Sequence, residues 1–335
     1  MTAPSPQLVF DTLLAYQRSA ALVTAIELDL FRTIAEGPGD AASLGRQCGA
    51  SERGTRILCD YLTVIGLLDK ADGHYRNTPT SALFLDSQSP AYMGQGARFL
   101  CHAQLREPFQ HLTEIVRTGR TVLPDHGTAR VDNPSWVEFA RSMTGITGPS
   151  AAPMAEMVLE GCSGPLRVLD IAAGHGLFGI AIAKRNPEAR IVALDSAEVL
   201  AVARENAQRE GVGDRYEELP GDAFEVDFKG PYDIVLLTNF LHHFDPPTCT
   251  VLLRKIRAAM RPGGTLAALE FVPNDDRVSP PPAASFSLVM LATTEAGDAY
   301  TLRELEAMYR ASAFDHVAAR TVPTGPGTVV TGRAV

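Results

Sequence analysis

Apolar residues recur at helical spacing over the first part of the chain. The stretch FDTLLAYQRSAALVTAIELDLFRTIA carries them from Phe10 to Ile34, and its apolar face is broad enough to predict burial against a large surface. Helical patterns follow at 43–48 and from Ser51 to Gly66, where the pair Ser51-Glu52 opens the helix. The segment LLDKADGHYRNT then indicates a hairpin with its turn at Asp72-Gly73. Helix, turn, helix and hairpin in this order predict a winged helix.

The pattern changes beyond a Gly/Pro/Ser-rich passage at 148–153. Helical segments such as REPFQHLTEIVRTG and PSWVEFARSMTGI precede this passage. After it, apolar runs of strand length alternate with helical stretches, which predicts an α/β, doubly wound parallel sheet. The strand runs are 167–171, 190–194, 232–237 and 265–269, and the helical stretches are 177–185, 197–208 and 247–260. We predict a winged-helix domain over 1–95, a helical linker over 96–150 and the sheet domain over 151–335.

Composition narrows the class of protein. The chain has 335 residues, 45% of them hydrophobic and 21% charged, and no apolar run long enough to cross a bilayer. The start, MTAPSPQLVF, lacks the basic and then apolar pattern of a secretory signal, so we expect a cytoplasmic protein without a membrane partner. The cysteines are scattered and lack C-x-x-C spacing, so they indicate neither a disulfide framework nor a zinc site. They are Cys48, Cys59, Cys101, Cys162 and Cys249.

The charge balance bears on the winged helix, a shape that often binds DNA. The formal net charge is -9, which repels nucleic-acid phosphates. Between Ala41 and Arg76 five basic residues face four acidic ones, so the region has no basic stripe. We therefore expect no nucleic-acid partner and a role in packing or dimerisation.

The stretch RVLDIAAGHGLFG matches the dinucleotide fingerprint G-x-G-x-x-G at Gly174, Gly176 and Gly179. The match alone is weak, because any glycine-containing turn between a strand and a helix can produce it. A dinucleotide would also need a site for a doubly charged pyrophosphate on the helix N-terminus. The surrounding residues must therefore decide which ligand the turn binds.

Chemically active residues end successive predicted strands. Asp170, Asp195, Asp222, the pair His242-His243 and Glu270 follow one another at spacings of 20 to 28 residues, about one β-α unit each. In a doubly wound sheet these ends converge on one crevice. Like charges a few ångströms apart cost on the order of 1 to 4 kcal/mol, so three carboxylates disfavour a pyrophosphate. A ligand with an ammonium, a ribose diol and an adenine fits better, and S-adenosyl-L-methionine is such a ligand.

Each residue near the turn then receives an expected role. Gly174 and Gly176 let the backbone approach the methionine portion, while Gly179 serves packing between helix and strand. Asp170 orients the turn and attracts the amino group, directly or through water. Asp195 lies 19 residues beyond Gly176, the distance expected for a carboxylate that binds both ribose hydroxyls.

The adenine is assigned to the segment LPGDAFEVDF. Asp222 can accept from the exocyclic amine and Phe224 can cover a face of the ring. Ala223 and Asn239 complete the predicted cofactor set. For each acidic residue taken singly, a helix N-cap or a solvated turn remains the alternative.

The motifs resemble those of a known family. VLDIAAGHG, ALD, GDAF, LLTNFLHHFD, LRKIRAAMRPGG and EFVPND, in this order behind a winged helix, resemble class I S-adenosylmethionine-dependent O-methyltransferases of the two-domain, small-molecule type. That family includes plant phenylpropanoid, hydroxyindole and bacterial polyketide enzymes. The resemblance implies a Rossmann-like sheet of seven strands, S-adenosyl-L-homocysteine as product and a small-molecule methyl acceptor. It also implies a homodimer in which the helix near 16–31 contributes to the partner's site.

The resemblance assigns roles to residues of the predicted acceptor site. The family's histidine base falls on His242, its supporting carboxylate on Glu270 and a methionine of the methyl-transfer pocket on Met143. Three positions depart from the family pattern. Ala172-Ala173 stand where glycines are usual, which requires negative φ at both alanines. His243 replaces an aspartate, and the family's second supporting carboxylate falls at about Ala299, beside Asp298.

Proton removal is the chemistry that such an enzyme has to supply. A neutral hydroxyl with a pKa near 10 is a poor nucleophile. Histidine side chains, which ordinarily have a pKa near 6.5, are suited to act as a general base. Our hypothesis is that His242 deprotonates an aromatic hydroxyl while Glu270 holds the imidazole in the useful tautomer. The alternative is a packed histidine bonded to backbone. On an extended chain only one of His242 and His243 would face the substrate, which also disfavours a metal site formed with Glu270.

The remaining candidates stay open between two interpretations. Helical spacing of several apolar residues fits either ordinary core or the wall of an aromatic pocket. The predicted pocket residues are Trp136, Phe139, Met143, His243, Phe286 and Met290. His175 either touches the cofactor carboxylate or faces solvent. Methylation of carbon or nitrogen on the same scaffold, and a cofactor-sensing winged-helix regulator, are the alternative functions.

Overall fold

The computed structural model describes residues 4–124, 127–131, 133 and 135–335. The chain separates into two compact units, 1–101 and 102–335. The first unit ends a few residues beyond the predicted winged-helix domain. Most of the predicted linker, 96–150, falls within the second unit, so its helices are part of the unit that carries the sheet.

The first unit consists of short helices and one hairpin. Its elements are α1 (Gln7–Leu13), α2 (Ala15–Glu27), α3 (Leu30–Glu36), α4 (Ala41–Gln47), α5 (Glu52–Val64), β1 (Leu68–Ala71), β2 (His74–Asn77), α6 (Pro79–Phe84) and α7 (Gly96–Leu100). The side chains of Asp40 and Ser51 begin α4 and α5 by accepting from the backbone N–H of Ser43 and Gly54. Between β1 and β2, Asp72 and Gly73 both have positive φ, 49° and 77°, as a two-residue hairpin turn requires.

Helix α1 has an apolar face that lies outside the core of the first unit. The core of the first unit gathers Leu30, Phe31, Leu62 and Tyr75, but none of the α1 residues is buried. Large apolar side chains of α1 and the start of α2 are instead exposed: Leu8, Val9, Phe10, Leu13, Leu14 and Tyr16. The broad apolar surface predicted for this stretch is therefore exposed within the described residues of the first unit.

The second unit contains the sheet and the helices that pack on it. Its helices are α8 (Ala103–Gln110), α9 (Leu112–Thr118), α10 (Ser135–Ser142), α11 (Thr144–Thr147), α12 (Ala151–Val158), α13 (Leu177–Arg185), α14 (Ala197–Arg209), α15 (Pro246–Ala258), α16 (Pro281–Thr293) and α17 (Leu302–Arg310). Its strands are β3 (Arg167–Ile171), β4 (Arg190–Asp195), β5 (Tyr216–Pro220), β6 (Tyr232–Thr238), β7 (Met260–Glu270), β8 (Phe314–Thr321) and β9 (Thr328–Ala334). Short 3₁₀ turns lie at Gly148–Ser150, Gly213–Arg215 and Leu241–His243.

The seven strands form one doubly wound sheet in the order β5-β4-β3-β6-β7-β9-β8. Strands β3 to β7 are parallel, whereas β9 runs antiparallel to both β7 and β8. The order reverses between β3 and β6, and ligands of such sheets bind outside the carboxyl ends at that point. The ends of β3, β4, β5, β6 and β7 therefore meet at one edge, as the spacing of the acidic and histidine residues predicts.

The apolar pattern missed three strands. β5 buries only Leu219, and β8 is an exposed edge strand, so neither shows a strong apolar run. β9 also lay outside the predicted runs. The Gly/Pro/Ser-rich passage at 148–153 forms a 3₁₀ turn that leads directly into α12. Proline is tolerated in the first turn of a helix, so Pro153 does not interrupt α12. Among the described residues, no helix is long and apolar enough to cross a membrane.

Candidate active site

The glycine turn joins β3 to α13 and is held from the sheet side. The N–H of Ala173 donates to the carbonyl of Leu194 at 3.1 Å, and that of Gly174 donates to Asp195 Oδ2 at 2.9 Å. Ala172 has a φ of 53°, so the expectation of negative φ at both alanines is wrong for Ala172. A side chain in this left-handed conformation costs about 1 to 2 kcal/mol. The turn therefore stores strain directly beside the crevice.

The three glycines of the turn have different surroundings. A Cβ added to Gly174 would meet Phe139 at an ordinary 3.4 Å. One added to Gly176 would lie 2.5 Å from the hydroxyl of Tyr216, and one added to Gly179 would lie 2.8 Å from Asp170 Oδ2. Gly179 thus serves packing, as expected. Gly176 does too, because Tyr216 of β5 and Ala203 of α14 fill the space on its Cβ side. The approach of Gly174 and Gly176 to the methionine portion stays a prediction.

Asp170 lies beneath the turn and has no exposed surface. Its Oδ2 accepts from the N–H of Gly179 at 3.0 Å, while Oδ1 has no partner among the described residues. Burial, with a smaller contribution from the charge of Asp195, raises the pKa of Asp170 to about 8. Asp170 orients the start of α13 through the bond from Gly179, and its expected attraction of the amino group, directly or through water, stays a prediction.

Asp195 ends β4 and reaches the glycine turn. Its Oδ1 accepts from the N–H of Ser196 at 2.8 Å, beside the bond from Gly174 to Oδ2. Burial raises its pKa to about 6, and the two backbone donors oppose that shift. Each carboxylate oxygen can accept more than one hydrogen bond, so Asp195 retains capacity for two further donors. A ribose diol presents such a pair.

The loop after β5 carries the predicted adenine contacts. Asp222 Oδ1 accepts from the N–H of Phe224 at 2.7 Å, and the half-buried ring of Phe224 packs edge-on against Phe244 at 5.0 Å. Lys255 Nζ donates to the carbonyl of Ala223 at 3.0 Å and so fixes the middle of this loop. Asn239, directly after β6, has a φ of 54° and donates its N–H to the carbonyl of Leu269 at 2.8 Å.

These groups fit S-adenosylmethionine by their chemistry. The backbone at Gly174 bears no side chain, Asp195 offers paired acceptors, and Asp222 stands beside an aromatic face in Phe224. A hydroxyl pair and an adenine match the last two features. We call Asp170, Gly174, Asp195 and Asp222 the glycine-turn side of the crevice.

The two adjacent histidines lie on a turn and not on an extended strand. Strand β6 ends at Thr238, and Leu241–His243 form a 3₁₀ turn in which the ring centroids of His242 and His243 are 4.4 Å apart. The expectation that their side chains point in opposite directions is therefore wrong. Among the described residues, no group of three histidine, cysteine or acidic side chains is placed to hold a metal ion.

His242 forms a buried pair with Glu270, the last residue of β7. His242 Nδ1 lies 2.5 Å from Glu270 Oε2, and the two side chains are each 4% exposed. Glu270 Oε1 accepts from the N–H groups of Phe240 and Leu241 at 3.0 and 2.8 Å. With its Nδ1 proton directed at the carboxylate, the ring keeps Nε2 as its basic nitrogen. The packed alternative for His242 required a backbone partner, whereas its ring is bonded to a side-chain carboxylate.

Aromatic rings surround this pair. The ring of Phe286 meets that of His242 edge-on at 4.9 Å, and Phe271 stacks on Phe286 at 4.0 Å with 16° between the planes. Trp136 meets His243 edge-on at 5.4 Å. Trp136, His243 and Phe286 of the predicted pocket thus gather at His242. Met143 and Met290 are buried, which fits either a core or a pocket role.

His243 is buried beside His242 as a neutral ring. Burial, and next the proximity of His242, hold the pKa of His243 well below its usual range. Its Nδ1 has no hydrogen-bond partner among the described residues. We call His242, His243, Glu270 and Phe286 the histidine side of the crevice.

The segment behind the histidines replaces the family's second carboxylate. Ala299 is buried, and Asp298 instead pairs with Arg277 at 3.1 Å on the surface. A Cβ on Gly297 would collide with the carbonyl of His242, so this segment packs directly on the back of the histidine turn. Within the described chain, Glu270 is the carboxylate that contacts His242.

Sequence reasoning missed Phe271, Gly297 and the true position of His175. Phe271 could have been found, because it directly follows Glu270 at the same strand end. Gly297 gave no signal, since its role depends on a contact across the fold. His175 is 2% exposed, with its two ring nitrogens in hydrogen bonds to Leu177 and Thr147, so the interpretation that it faces solvent is wrong. Its contact with the cofactor carboxylate stays a prediction.

Comparison with known proteins places the chain. Residues 10–87 match the model of the O-methyltransferase dimerisation domain, and residues 168–264 match that of a methyltransferase domain. The solved structure of a protein from Nostoc punctiforme assigned to the O-methyltransferases is 47% identical, with a TM-score of 0.95, over 99% of this chain and 100% of the other.

More distant relatives extend the comparison. The tetracenomycin polyketide synthesis 8-O-methyl transferase of Streptomyces glaucescens is 28% identical over 97% of this chain and 96% of its own. A structure of PigF with SAH is 26% identical, with a TM-score of 0.85, over 98% of this chain and 100% of the other. The cofactor is accordingly S-adenosylmethionine. The chain belongs to the S-adenosylmethionine-dependent O-methyltransferases that carry an N-terminal dimerisation domain.

Proposed function

We propose that the protein methylates a hydroxyl group of a small aromatic or polyketide-like metabolite, with His242 as general base. The observation that carries the proposal is the buried 2.5 Å contact between His242 Nδ1 and Glu270 Oε2, which lies among aromatic rings at the carboxyl ends of β6 and β7. An enzyme that only had to bind its substrates would not need this arrangement. A histidine backed by a buried carboxylate is suited to take up a proton.

The glycine-turn side is proposed to hold the cofactor. Gly174 would lie against the methionine portion, and Asp195 would accept from the ribose hydroxyls. Asp222, with Ala223 and Phe224, would hold the adenine, and Asn239 would lie between this loop and the histidine turn. When bound, the cofactor supplies a methyl group that its sulfonium has already activated, so the chain has to align the acceptor and remove a proton.

The proton balance follows from the tautomer of His242. As the acceptor hydroxyl loses its proton, Nε2 of His242 gains it, and the ring becomes an imidazolium whose Nδ1 proton stays on Glu270. The carboxylate stabilises that cation in a place where water cannot. The Phe240 and Leu241 N–H groups keep Glu270 in position, so the base does not have to reorganise during the reaction.

The aromatic surroundings favour a flat acceptor. Phe271, Phe286 and Trp136 present ring faces and edges around the two histidines, and these exclude water from the reacting hydroxyl. The relatives support this class. They include the tetracenomycin 8-O-methyl transferase, a 3-hydroxy-5-methyl-1-naphthoate 3-O-methyltransferase from Streptomyces sahachiroi and mouse acetylserotonin O-methyltransferase.

A homodimer is part of the proposal. The dimerisation-domain match covers 10–87, and the exposed apolar residues of α1 lie at its start. A second copy of the chain would cover Leu8, Phe10 and Leu13, which a single chain leaves to solvent.

Carbon methylation is the second candidate, because a C-20 methyltransferase of bacteriochlorophyllide d from Chlorobaculum tepidum is 27% identical over 80% of this chain. Transfer to oxygen, nitrogen or carbon each releases a proton that His242 could take up, so the choice of oxygen rests on the relatives that are named O-methyltransferases. A pair of acceptors that carry either a hydroxyl or an amine on the same ring shows whether oxygen or nitrogen is methylated. An acceptor with an activated ring carbon shows whether carbon is methylated instead.

The experiment is an acceptor screen with purified protein and S-adenosylmethionine. Phenols, naphthols and hydroxyanthraquinones are compared with the matching anilines and with the methyl ethers, and the methylated atom is identified by mass spectrometry and NMR. With the best acceptor, His242→Ala should lower kcat by about 10²- to 10⁴-fold. His316→Ala is the matched control, since His316 is exposed beside Asp315 and lies outside the site.

Two outcomes would contradict the proposal. One is transfer to carbon or nitrogen while all hydroxyl acceptors stay unreacted. The other is a His242→Ala enzyme that retains most of the wild-type rate on a hydroxyl acceptor. In either case the His242–Glu270 contact would be a structural pair and not the base.

A further inference from the structure

His175 is a buried histidine that the proposed reaction does not use. It sits within the glycine turn, yet its side chain leaves the turn and enters the space between α10, α11 and α13. We propose that His175 is a positioning residue that couples the glycine turn to helices α10 and α11, so that cofactor binding alters the wall facing His243. The inference rests on the proposed placement of the cofactor at Gly174.

The hydrogen bonds of His175 fix its tautomer and its direction. The N–H of Leu177, the first residue of α13, donates to Nδ1 at 3.2 Å, so the ring proton sits on Nε2. Nε2 then donates to Thr147 Oγ1 at 2.7 Å, and the Thr147 hydroxyl donates to the carbonyl of Met143 at 3.0 Å. One chain of hydrogen bonds thus runs from the start of α13 to the junction of α10 and α11.

Aromatic contacts provide a second connection between the same elements. The His175 ring lies between Phe139 and Phe178, with centroid distances of 6.2 and 5.7 Å. Phe139 also covers the open side of Gly174 and meets Trp136 at 5.7 Å, which in turn meets His243 at 5.4 Å. A row of packed rings therefore connects the glycine turn with the histidine side, and packed rings transmit displacement because they cannot compress.

The coupling does not depend on titration of His175 near neutral pH. Burial lowers the pKa of His175 to about 4, and its protonation would break the bond from Leu177. The backbone carbonyl of His175 accepts from Asn206 Nδ2 at 2.8 Å, which holds the turn against α14. His175 therefore acts as a fixed neutral bridge and not as a titrating switch.

The test needs only the cofactor product and the chain's own tryptophan. The sequence contains one tryptophan, Trp136, so its fluorescence reports on α10 without labelling. S-adenosylhomocysteine is titrated into each variant, and affinity is measured by calorimetry in parallel. Thr147→Val removes the hydroxyl at nearly constant volume, and Thr147→Ser restores it. His175→Asn keeps an acceptor for Leu177 but cannot reach Thr147.

A control variant shows what the loss of a threonine hydroxyl from a helix does by itself, away from His175. Thr250 Oγ1 in α15 donates to the carbonyl four residues earlier, as Thr147 Oγ1 does, but has no histidine partner in the described structure. Thr250→Val should therefore bind S-adenosylhomocysteine as the wild type does. Thermal unfolding of each variant shows that the folded protein is being compared.

We expect Thr147→Val and His175→Asn to weaken S-adenosylhomocysteine binding by about threefold to thirtyfold and to reduce the Trp136 response. The double variant should lose no more than the worse single one, because both changes break the same bond. Thr147→Ser should behave as wild type. Wild-type affinity and an unchanged Trp136 response in both Thr147→Val and His175→Asn would overturn the inference.

The outcomes distinguish a failure of the coupling from a failure of the proposed function. A wild type without S-adenosylhomocysteine binding would overturn both the cofactor placement and the coupling. An enzyme that binds the product and shows the coupling, but methylates no hydroxyl acceptor, would contradict the proposed function alone.

Discussion

The two sides of the crevice bury titratable groups in opposite ways. On the histidine side, His242 Nδ1 lies 2.5 Å from the carboxyl oxygen Oε2 of Glu270. On the glycine-turn side, Asp170 and His175 face backbone N–H groups and a hydroxyl, and burial favours their neutral forms. Neighbouring loops of one sheet edge thus serve different purposes. His242 with Glu270 can accept a proton, whereas Asp170 and His175 fix the conformation of the glycine turn.

The comparison explains why burial alone does not identify a base. His175 and His242 are 2% and 4% exposed, and both stand in turns at carboxyl ends of parallel strands. What separates them is the partner of Nδ1: a donor in Leu177 for His175, an acceptor in Glu270 for His242. An N–H donor forces Nδ1 to stay unprotonated, whereas a carboxylate retains the proton there and leaves Nε2 free to react.

The largest expected effect comes from replacing the hydrogen-bond acceptor beside His242 Nδ1, Glu270, with a donor. In Glu270→Gln the amide keeps an oxygen for the N–H groups of Phe240 and Leu241 but directs its NH₂ at Nδ1. His242 would then carry its proton on Nε2 and lose its basic nitrogen, so we expect kcat to fall by about 10²- to 10⁴-fold. S-adenosylhomocysteine affinity, measured by calorimetry, should be unchanged.

Glu304→Gln is the control for that variant, since Glu304 pairs with Arg277 on the surface. If Glu270→Gln kept kcat and lost cofactor affinity, the histidine side would be holding the cofactor, and the division between the two sides would be wrong.

The next effect concerns the charged member of the glycine-turn side. Burial raises the pKa of Asp195 to about 6, so the carboxylate is ionised above that pH and protonated below it. Since only the ionised form offers all its acceptor sites, S-adenosylhomocysteine affinity should fall by up to about tenfold per pH unit below pH 6. Calorimetry between pH 5 and 8 measures this directly.

Asp195→Asn should bind S-adenosylhomocysteine at least about tenfold more weakly at pH 7.5 and lose the pH dependence, because a charged hydrogen-bond acceptor is removed. Asp214→Asn, at an exposed position, should leave both unchanged. If the affinity of Asp195→Asn for S-adenosylhomocysteine kept the wild-type pH dependence, a group other than Asp195 would be responsible for it.

A smaller effect tests the neutral state of Asp170. Its pKa is raised in the folded protein, so the folded state binds this proton more tightly than the unfolded chain does. The corresponding stability is complete below about pH 4 and is lost as pH rises through about 8, so the free energy of unfolding should decrease across that window. Asp170→Asn mimics the neutral form and should flatten the decrease, with a relative gain of about 1 to 3 kcal/mol at pH 9 over pH 6.

Chemical denaturation at both pH values provides the measurement, and Asp214→Asn again serves as the control. A variant whose stability follows the wild-type pH curve would mean that Asp170 is ionised in the folded protein.

Much of this architecture is readable from the sequence. The spacing of Asp170, Asp195, Asp222 and Glu270 predicts their common edge, because strand and helix lengths fix where parallel strands end. The hairpin at Asp72-Gly73 and most strands of the sheet follow from local turn chemistry and apolar runs. The edge strand β8 does not, because its side chains are mostly exposed and leave no apolar pattern.

Side-chain direction is what the sequence could not supply. Asp170 and Asp195 look alike as strand-end carboxylates, but one faces the core and the other the crevice. His242 and His243 follow β6 on a 3₁₀ turn, so strand alternation gave the wrong relation between them. The partner of His175 is Thr147, 28 residues away on a helix of only four residues, and no periodicity points to that contact.

The smallest predicted effect sharpens the comparison at the turn itself. Ala172 has a φ of 53°, whereas its neighbour Ala173 lies outside the positive-φ region. Glycine relieves the strain at the first position but only adds unfolded-state freedom at the second. Ala172→Gly should therefore raise the free energy of unfolding by about 0.5 to 1 kcal/mol, a rise of a few degrees at most in Tm.

Ala173→Gly is the matched control with the opposite sign. It removes a methyl group that is 2% exposed, so it should lower stability by about 1 kcal/mol or more. Thermal unfolding of the two variants beside wild type decides the matter, and equal signs for both would show that the backbone at Ala172 is not strained. If the signs differ and S-adenosylhomocysteine binds Ala172→Gly more weakly, then the restricted backbone freedom of Ala172 contributes to cofactor binding despite its cost in stability.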